Sequence, residues 1–158
     1  MRVVRYGSCV IDDIDRNILR LLQDDGRMTV TALAAEVGLT VAPCHRRLRD
    51  LEAAGAISGY RAILDAPRIG LGFQALVFVT LKDRQNMYAF EDEVASIPEI
   101  VEGSRLFGEP DFLLKVMATD LPSYQQFYDD VLVGLAGVEK LTSTIVMKSL
   151  KGAGELPV

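Results

Sequence analysis

Apolar positions change their period along this chain. Up to residue 61 they recur three and four apart; beyond residue 72 they alternate in short runs. Ile14, Ile18, Leu21 and Leu22 describe one face of a helix that opens at Asp12 and Asp13 and stops at Gly26. Thr29 reads as the N-cap of a short second helix with Leu33 and Val37 inward, ended by Gly38. Thr40 caps a third helix, with Pro43 in its first turn, that runs to Gly55. Ala56–Asp65 reads as a strand leaving these helices, and Pro67, Gly70 and Gly72 mark a boundary.

Past the boundary the pattern predicts a strand over Phe73–Lys82, a helix over Asn86–Ile97 and a strand over Ile100–Phe107. A turn at Gly108–Asp111 leads into a returning strand to Thr119. A helix over Leu121–Leu135 and a last strand over Val138–Lys151 follow. The expected fold is therefore α+β. A winged-type helix-turn-helix domain (residues 1–61) and a hinge strand and linker (62–72) precede a ferredoxin-like βαββαβ domain (73–151) and a tail (152–158). In the first strand Ala75, Val77, Val79 and Leu81 face one way, Leu76 and Phe78 the other. Helices cover one face only. Burying the other against a second copy would hide an apolar patch and supply two reading helices for a two-fold DNA site.

Charge sharpens this division. The chain carries net −5, yet residues 1–61 hold nine basic residues, all arginine, against eight acidic ones, and residues 62–158 hold eight against fourteen. Three of those arginines crowd into the third helix. At about 100° per residue, Cys44, Leu48 and Leu51 form its inward stripe. Arg46, Arg49 and Ala42 fall opposite, His45 on the flank and Arg47 near the edge of the stripe. Arg46 and Arg49 would then face DNA from an anchored helix, acting within a Debye length of about 8–10 Å whatever the net charge of the chain. Ala42 and Pro43 are small enough to let the helix start approach the groove. Arg27, Thr29 and Thr40 sit where helix starts meet phosphates, and His45 is either a groove contact or a solvated flank residue. The plain alternative is a solvated face in which Arg46 pairs with Asp50.

No apolar run nears the ~20 residues that span a bilayer, so a cytoplasmic protein without membrane contact is expected. Cys9 and Cys44 stand far apart beside a single histidine, which gives neither a zinc finger nor a disulfide framework. Cys44 and His45, adjacent on a helix, diverge too far to form a nucleophile–base pair. No metal or cofactor is expected.

The joint pattern of "IDDIDRNILRLLQDDGRMTVTALAAEVGLT", "CHRRLRDLEAAGAISGYRAILD", "GEPDFLLKV" and Gly137-Val138 resembles the Lrp/AsnC (feast/famine) transcriptional regulators over Ile11 to Lys151. The resemblance implies double-stranded DNA binding through the helix-turn-helix. It also implies a homodimer that assembles further, often to an octamer, and a small effector, commonly an amino acid, bound between dimers. The family's Gly-Asp-x-Asp turn, which helps form that pocket, reads here Gly108-Glu109-Pro110-Asp111. Relatives tend to carry threonines at the positions of Leu141 and Ser143, and only Ser143 keeps a hydroxyl. On this reading Asp111 would hold an ammonium, while the backbone N–H groups around Gly108 and the Ser143 hydroxyl would hold a carboxylate. Asp111 capping its own turn while Ser143 bonds the sheet is the bland alternative. An architectural DNA-wrapping protein without effector shares the same helices. An enzyme is not expected: Glu109 and Asp111 flank a proline turn with no nucleophile, metal cluster or phosphate loop beside them.

Overall fold

A computed structural model describes residues 4–6, 9–151, 154 and 156–158, with side chains from Ile11 onward. The chain forms two compact units, Met1–Ile63 with Lys151–Val158, and Leu64–Leu150. Among the described residues no helix is long and apolar enough to cross a membrane.

In the first unit two short strands, β1 (Val4–Tyr6) and β2 (Cys9–Ile11), pair antiparallel in a stretch for which the sequence predicts no element. Three helices follow: α1 (Asp13–Asp24), α2 (Val30–Glu36) and α3 (Val41–Ala53). Asp12 caps α1 reciprocally. Its carboxylate accepts the Asp15 N–H at 2.9 Å, and the Asp15 carboxylate accepts the Asp12 N–H at 3.1 Å. The Thr29 hydroxyl accepts the Ala32 N–H at 3.2 Å and caps α2. Thr40 holds the N-cap position of α3, but its side chain makes no capping bond, contrary to the expected role. Gly38 ends α2 at φ +69°, with the Leu39 N–H returning to the Ala34 carbonyl; Gly55 ends α3 at φ +73°, with the Ala56 N–H returning to that of Leu51. Both are Schellman closures, which need a left-handed residue. Ile18, Leu33, Ala34, Cys44 and Leu51 form the core, with Leu48 and Val37 packed against it.

The strand expected over Ala56–Asp65 does not form. The segment carries no ladder, and Tyr60, Ile63 and Leu64 are exposed. Its apolar side chains fit a strand, but an edge must lie opposite it for the backbone to pair.

The second unit holds β3 (Phe73–Leu81), α4 (Met87–Ala95), β4 (Ile100–Arg105), β5 (Phe112–Ala118), α5 (Leu121–Asp130) and β6 (Val138–Ile145). The sheet is antiparallel in the order β4-β5-β3-β6. Alternate residues of β3 and β5 are buried beneath Phe90, Tyr124 and Leu132, so both helices lie on one face. The helix expected to reach Leu135 breaks at Val131 and continues as a short 3₁₀ turn, Leu132–Gly134. β6 stops at Ile145 rather than Lys151. Its last bond to β3 runs from the Val146 N–H to the Gln74 carbonyl, one residue from the start of β3 at Phe73.

Candidate functional site

Each unit presents one candidate surface. On α3 the cysteine–leucine stripe is inward: Cys44 is fully buried, Leu51 nearly so, and burial pushes the Cys44 thiol up, away from reactivity. Opposite it Ala42, His45, Arg46 and Arg49 are exposed, with Pro43 half-buried in the first turn. The Arg46–Asp50 pair does not form. Among the described residues neither Arg46 nor Arg49 is engaged in an ion pair, so both guanidinium groups are open to a ligand. Arg27 is exposed at the entry to α2, its backbone N–H turned to the Asp25 carboxylate at 2.9 Å. Thr29 is exposed beside it; its hydroxyl accepts a bond as the cap and retains its own proton to donate.

Arg47 plays a different part, which the sequence reading did not find. Its Nη1 donates to Asp12 Oδ2 and Asp15 Oδ1, each at 2.8 Å. Asp15 is the buried acid of the core, only 6% exposed. The capping pair of α1 thus doubles as the socket for an arginine from α3. Burial pushes the Asp12 carboxyl up, but the Asp15 N–H and the Arg47 guanidinium outweigh it and hold it below the ordinary carboxylate range. The bonds to Asp15 and then Asp12 raise the Arg47 guanidinium in turn. The signal available in the sequence was Asp-x-x-Asp at a helix start together with an arginine at the rim of an apolar stripe.

In the second unit Gly108, at φ +125°, Glu109 and Asp111 come together in the turn between β4 and β5. The Asp111 N–H donates to the Val79 carbonyl at 2.9 Å, and its Oδ2 accepts the Leu81 N–H at 2.8 Å. Asp111 therefore staples the turn to the end of β3, where the β3–β6 register shifts. Ser143 is not part of this group. It pairs with Val77 across the ladder, which places it on the helix-covered face, where its hydroxyl bonds that of Tyr124. Leu141 shares that face, half-buried against the core. The residues that do meet the turn come from the other face. Glu109 and Pro110 line a hollow of about 340 Å³ with Phe78, Thr80, Lys140 and Thr142. Among the described residues neither Glu109 nor Lys140 has an ionic partner. Hence a carboxylate, an ammonium, two hydroxyls and an apolar floor line one small hollow on the helix-free face.

Comparison with known proteins agrees in both units. A family model described as "Winged helix-turn-helix DNA-binding" matches residues 11–58, and one described as "Lrp/AsnC ligand binding domain" matches residues 74–156. The leucine-responsive regulatory protein of Rhizobium meliloti is 40% identical over 150 residues, covering 94% of this chain and 96% of that one. A transcriptional regulator of Neisseria meningitidis, solved in complex with L-methionine, superposes with a TM-score of 0.88 at 36% identity, over 92% of this chain and 96% of that one. A feast-or-famine regulatory protein of Mycobacterium tuberculosis, also complexed with L-methionine, gives a TM-score of 0.83 at 28% identity, over 90% and 96%.

Proposed function

This chain belongs to the Lrp/AsnC family of DNA-binding transcriptional regulators, and from that premise we propose which residues read DNA and which sense an effector. Arg46 and Arg49 enter the major groove from α3, where each guanidinium can meet a guanine edge or a phosphate. Ala42 and Pro43 let the helix start come close, and His45 touches the flank. Arg27, Thr29 and Thr40 hold the phosphate backbone. The observation that carries this assignment is the pair of exposed guanidinium groups, without an ion pair among the described residues, opposite the buried Cys44–Leu51 stripe. Replacing both arginines with alanine abolishes DNA binding in a mobility-shift assay while light scattering shows the same particle size. Normal binding by the double variant would refute the assignment.

The effector is a free α-amino acid with an apolar side chain, seated in the hollow beside Gly108. Glu109 takes the ammonium, Lys140 the carboxylate, Thr80 and Thr142 the remaining polar atoms, and Phe78 the side chain. Asp111 shapes the turn without touching the ligand, and Ser143, turned to Tyr124, takes no part. Support comes from the opposite charges left without partners in one hollow, and from the two relatives solved with L-methionine. Because the hollow lies on the face that a second copy would cover, ligand binding and assembly share a surface, and each biases the other. The protein is a homodimer through this face and assembles further, to an octamer. Light scattering during titration with each common amino acid, with and without DNA, tests this. A response that disappears in Glu109→Gln and in Lys140→Met supports the site, and the absence of any response to any amino acid favours a DNA-wrapping protein without effector.

A further inference from the structure

The chain ends its course on the DNA-binding unit. Lys151–Val158 groups with Met1–Ile63, although β6 and everything between Leu64 and Leu150 belong to the other unit. The contact is specific. Gln23, one residue before the end of α1, bonds the backbone of Leu156 in both directions: its Oε1 accepts the Leu156 N–H, and its Nε2 donates to the Leu156 carbonyl at 3.2 Å. A primary amide that satisfies both polar groups of one residue does what a neighbouring strand would do. Beside this clamp a hollow of about 200 Å³ is walled by Leu19, Leu22, Ile57 and Tyr60, and Leu156 and Val158 complete its lining. A second hollow shares Leu22, Gln23, Gly59 and Tyr60 with the first, and Gly154 lines it. Residues 154, 156 and 158 therefore follow one groove between the last turns of α1 and the segment after α3. Val158 is half-buried there, while Leu156 and Pro157 stay exposed.

We infer that this groove is a docking site for the chain's own Gly154 and Leu156–Val158, and that they form a releasable strap rather than a fixed part of the core. The groove provides an amide clamp and an apolar wall, and the occupant offers the backbone N–H and carbonyl of Leu156, the carbonyl also accepting the Val158 N–H at 2.9 Å, and an apolar side chain two residues on. Two solvent-facing hydrogen bonds and one half-buried side chain favour docking by only ~10-fold, the scale of a switch. Tethering makes so weak a contact sufficient, because the strap is held near its groove by the rest of the chain. The inference does not rest on the assignment of the effector hollow.

Millisecond hydrogen exchange read by mass spectrometry on the full chain tests it. Residues 156–158 should exchange roughly tenfold faster in Gln23→Ala than in the parent, with Gln23→Glu, which keeps the acceptor and loses the donor, in between. Stopping the chain after Lys151 should speed exchange in the last turn of α1 and over Ile57–Tyr60. Adding Gln23→Ala to the shortened chain should then change nothing more. Melting by circular dichroism confirms that each variant folds. Equal exchange of residues 156–158 in parent and Gln23→Ala overturns the inference. So does a shortened chain whose α1 and Ile57–Tyr60 exchange as in the parent, or in which Gln23→Ala still adds an effect.

Discussion

Arg46 and Arg47 are neighbours in sequence and serve opposite purposes, because one step along a helix turns a side chain by about 100°. Arg46 faces out with no ionic partner among the described residues, whereas Arg47 reaches back to two carboxylates at 2.8 Å. Truncating Arg47 leaves Asp15, 6% exposed, without its counter-charge. Arg47→Ala should therefore destabilise the helical unit by about 1–3 kcal/mol, read as a lower urea midpoint. Arg46→Ala and Arg49→Ala should stay within ~0.5 kcal/mol of the parent. In DNA binding the outward pair separates again. Removing an arginine that meets phosphate lowers the slope of log K against log salt by about 1, and removing one that meets guanine relaxes specificity at one position. Arg47→Ala should leave that slope alone. The same socket gives a pH dependence. Asp12 is held below its ordinary 3.8, so the unfolded state binds the proton first. The stability it contributes is present above 3.8 and is lost as pH falls through the lower folded-state value, which acid titration of the Arg47→Ala variant should flatten. Charge counting alone groups all three arginines, and helical spacing already sets Arg47 apart at the edge of the apolar stripe. What the spacing does not record is the pair of carboxylates across the bundle that Arg47 meets.

Elements were legible wherever the signal was local. Asp12, Thr29, Gly38 and Gly55 mark helix ends because caps and left-handed turns are made by the residues themselves, and α1, α2 and α3 end where those residues stand. What failed depended on neighbours. Ala56–Asp65 has the composition of a strand and no edge to join, and β6 stops within a residue or two of the start of β3. Ser143 lies away from the Gly108 turn because its face is fixed by register against Val77, which no motif states. Two glycines distinguish conformational strain from crowding. Gly38, at φ +69°, has open space around the position of a Cβ, so Gly38→Ala should cost about 1 kcal/mol through backbone strain alone. Gly137, at φ +70°, has the Asn86 side chain lying against that position. Gly137→Ala meets both penalties and should cost more, about 2–3 kcal/mol in the same urea titration. Equal losses would mean that Asn86 moves aside freely.

At the scale of the whole molecule, the helix-free face of the sheet decides what the protein can be. Leu76, Phe78, Leu113 and Met117 share that face by register, and Thr142 and Lys140 continue it across β6. A second copy is the cover proposed above, and a carboxylate placed there would oppose it. Leu113 faces Phe78 directly across the ladder, so Leu113→Glu puts an unpaired charge in the middle of the surface while its own strand stays paired. Light scattering should then report a smaller particle. DNA affinity should fall by about 100-fold or more even though every groove-facing arginine is intact, since a lone reading helix loses the gain from binding two half-sites at once. If the hollow beside Glu109 and Lys140 is complete in one chain, the variant still binds its amino acid; if the second copy supplies a wall, effector binding is lost with assembly. Isothermal titration of the Leu113→Glu protein separates these outcomes. Joint loss makes assembly and sensing a single equilibrium, and retained binding makes the effector a ligand of the single subunit that biases assembly from the face the two share.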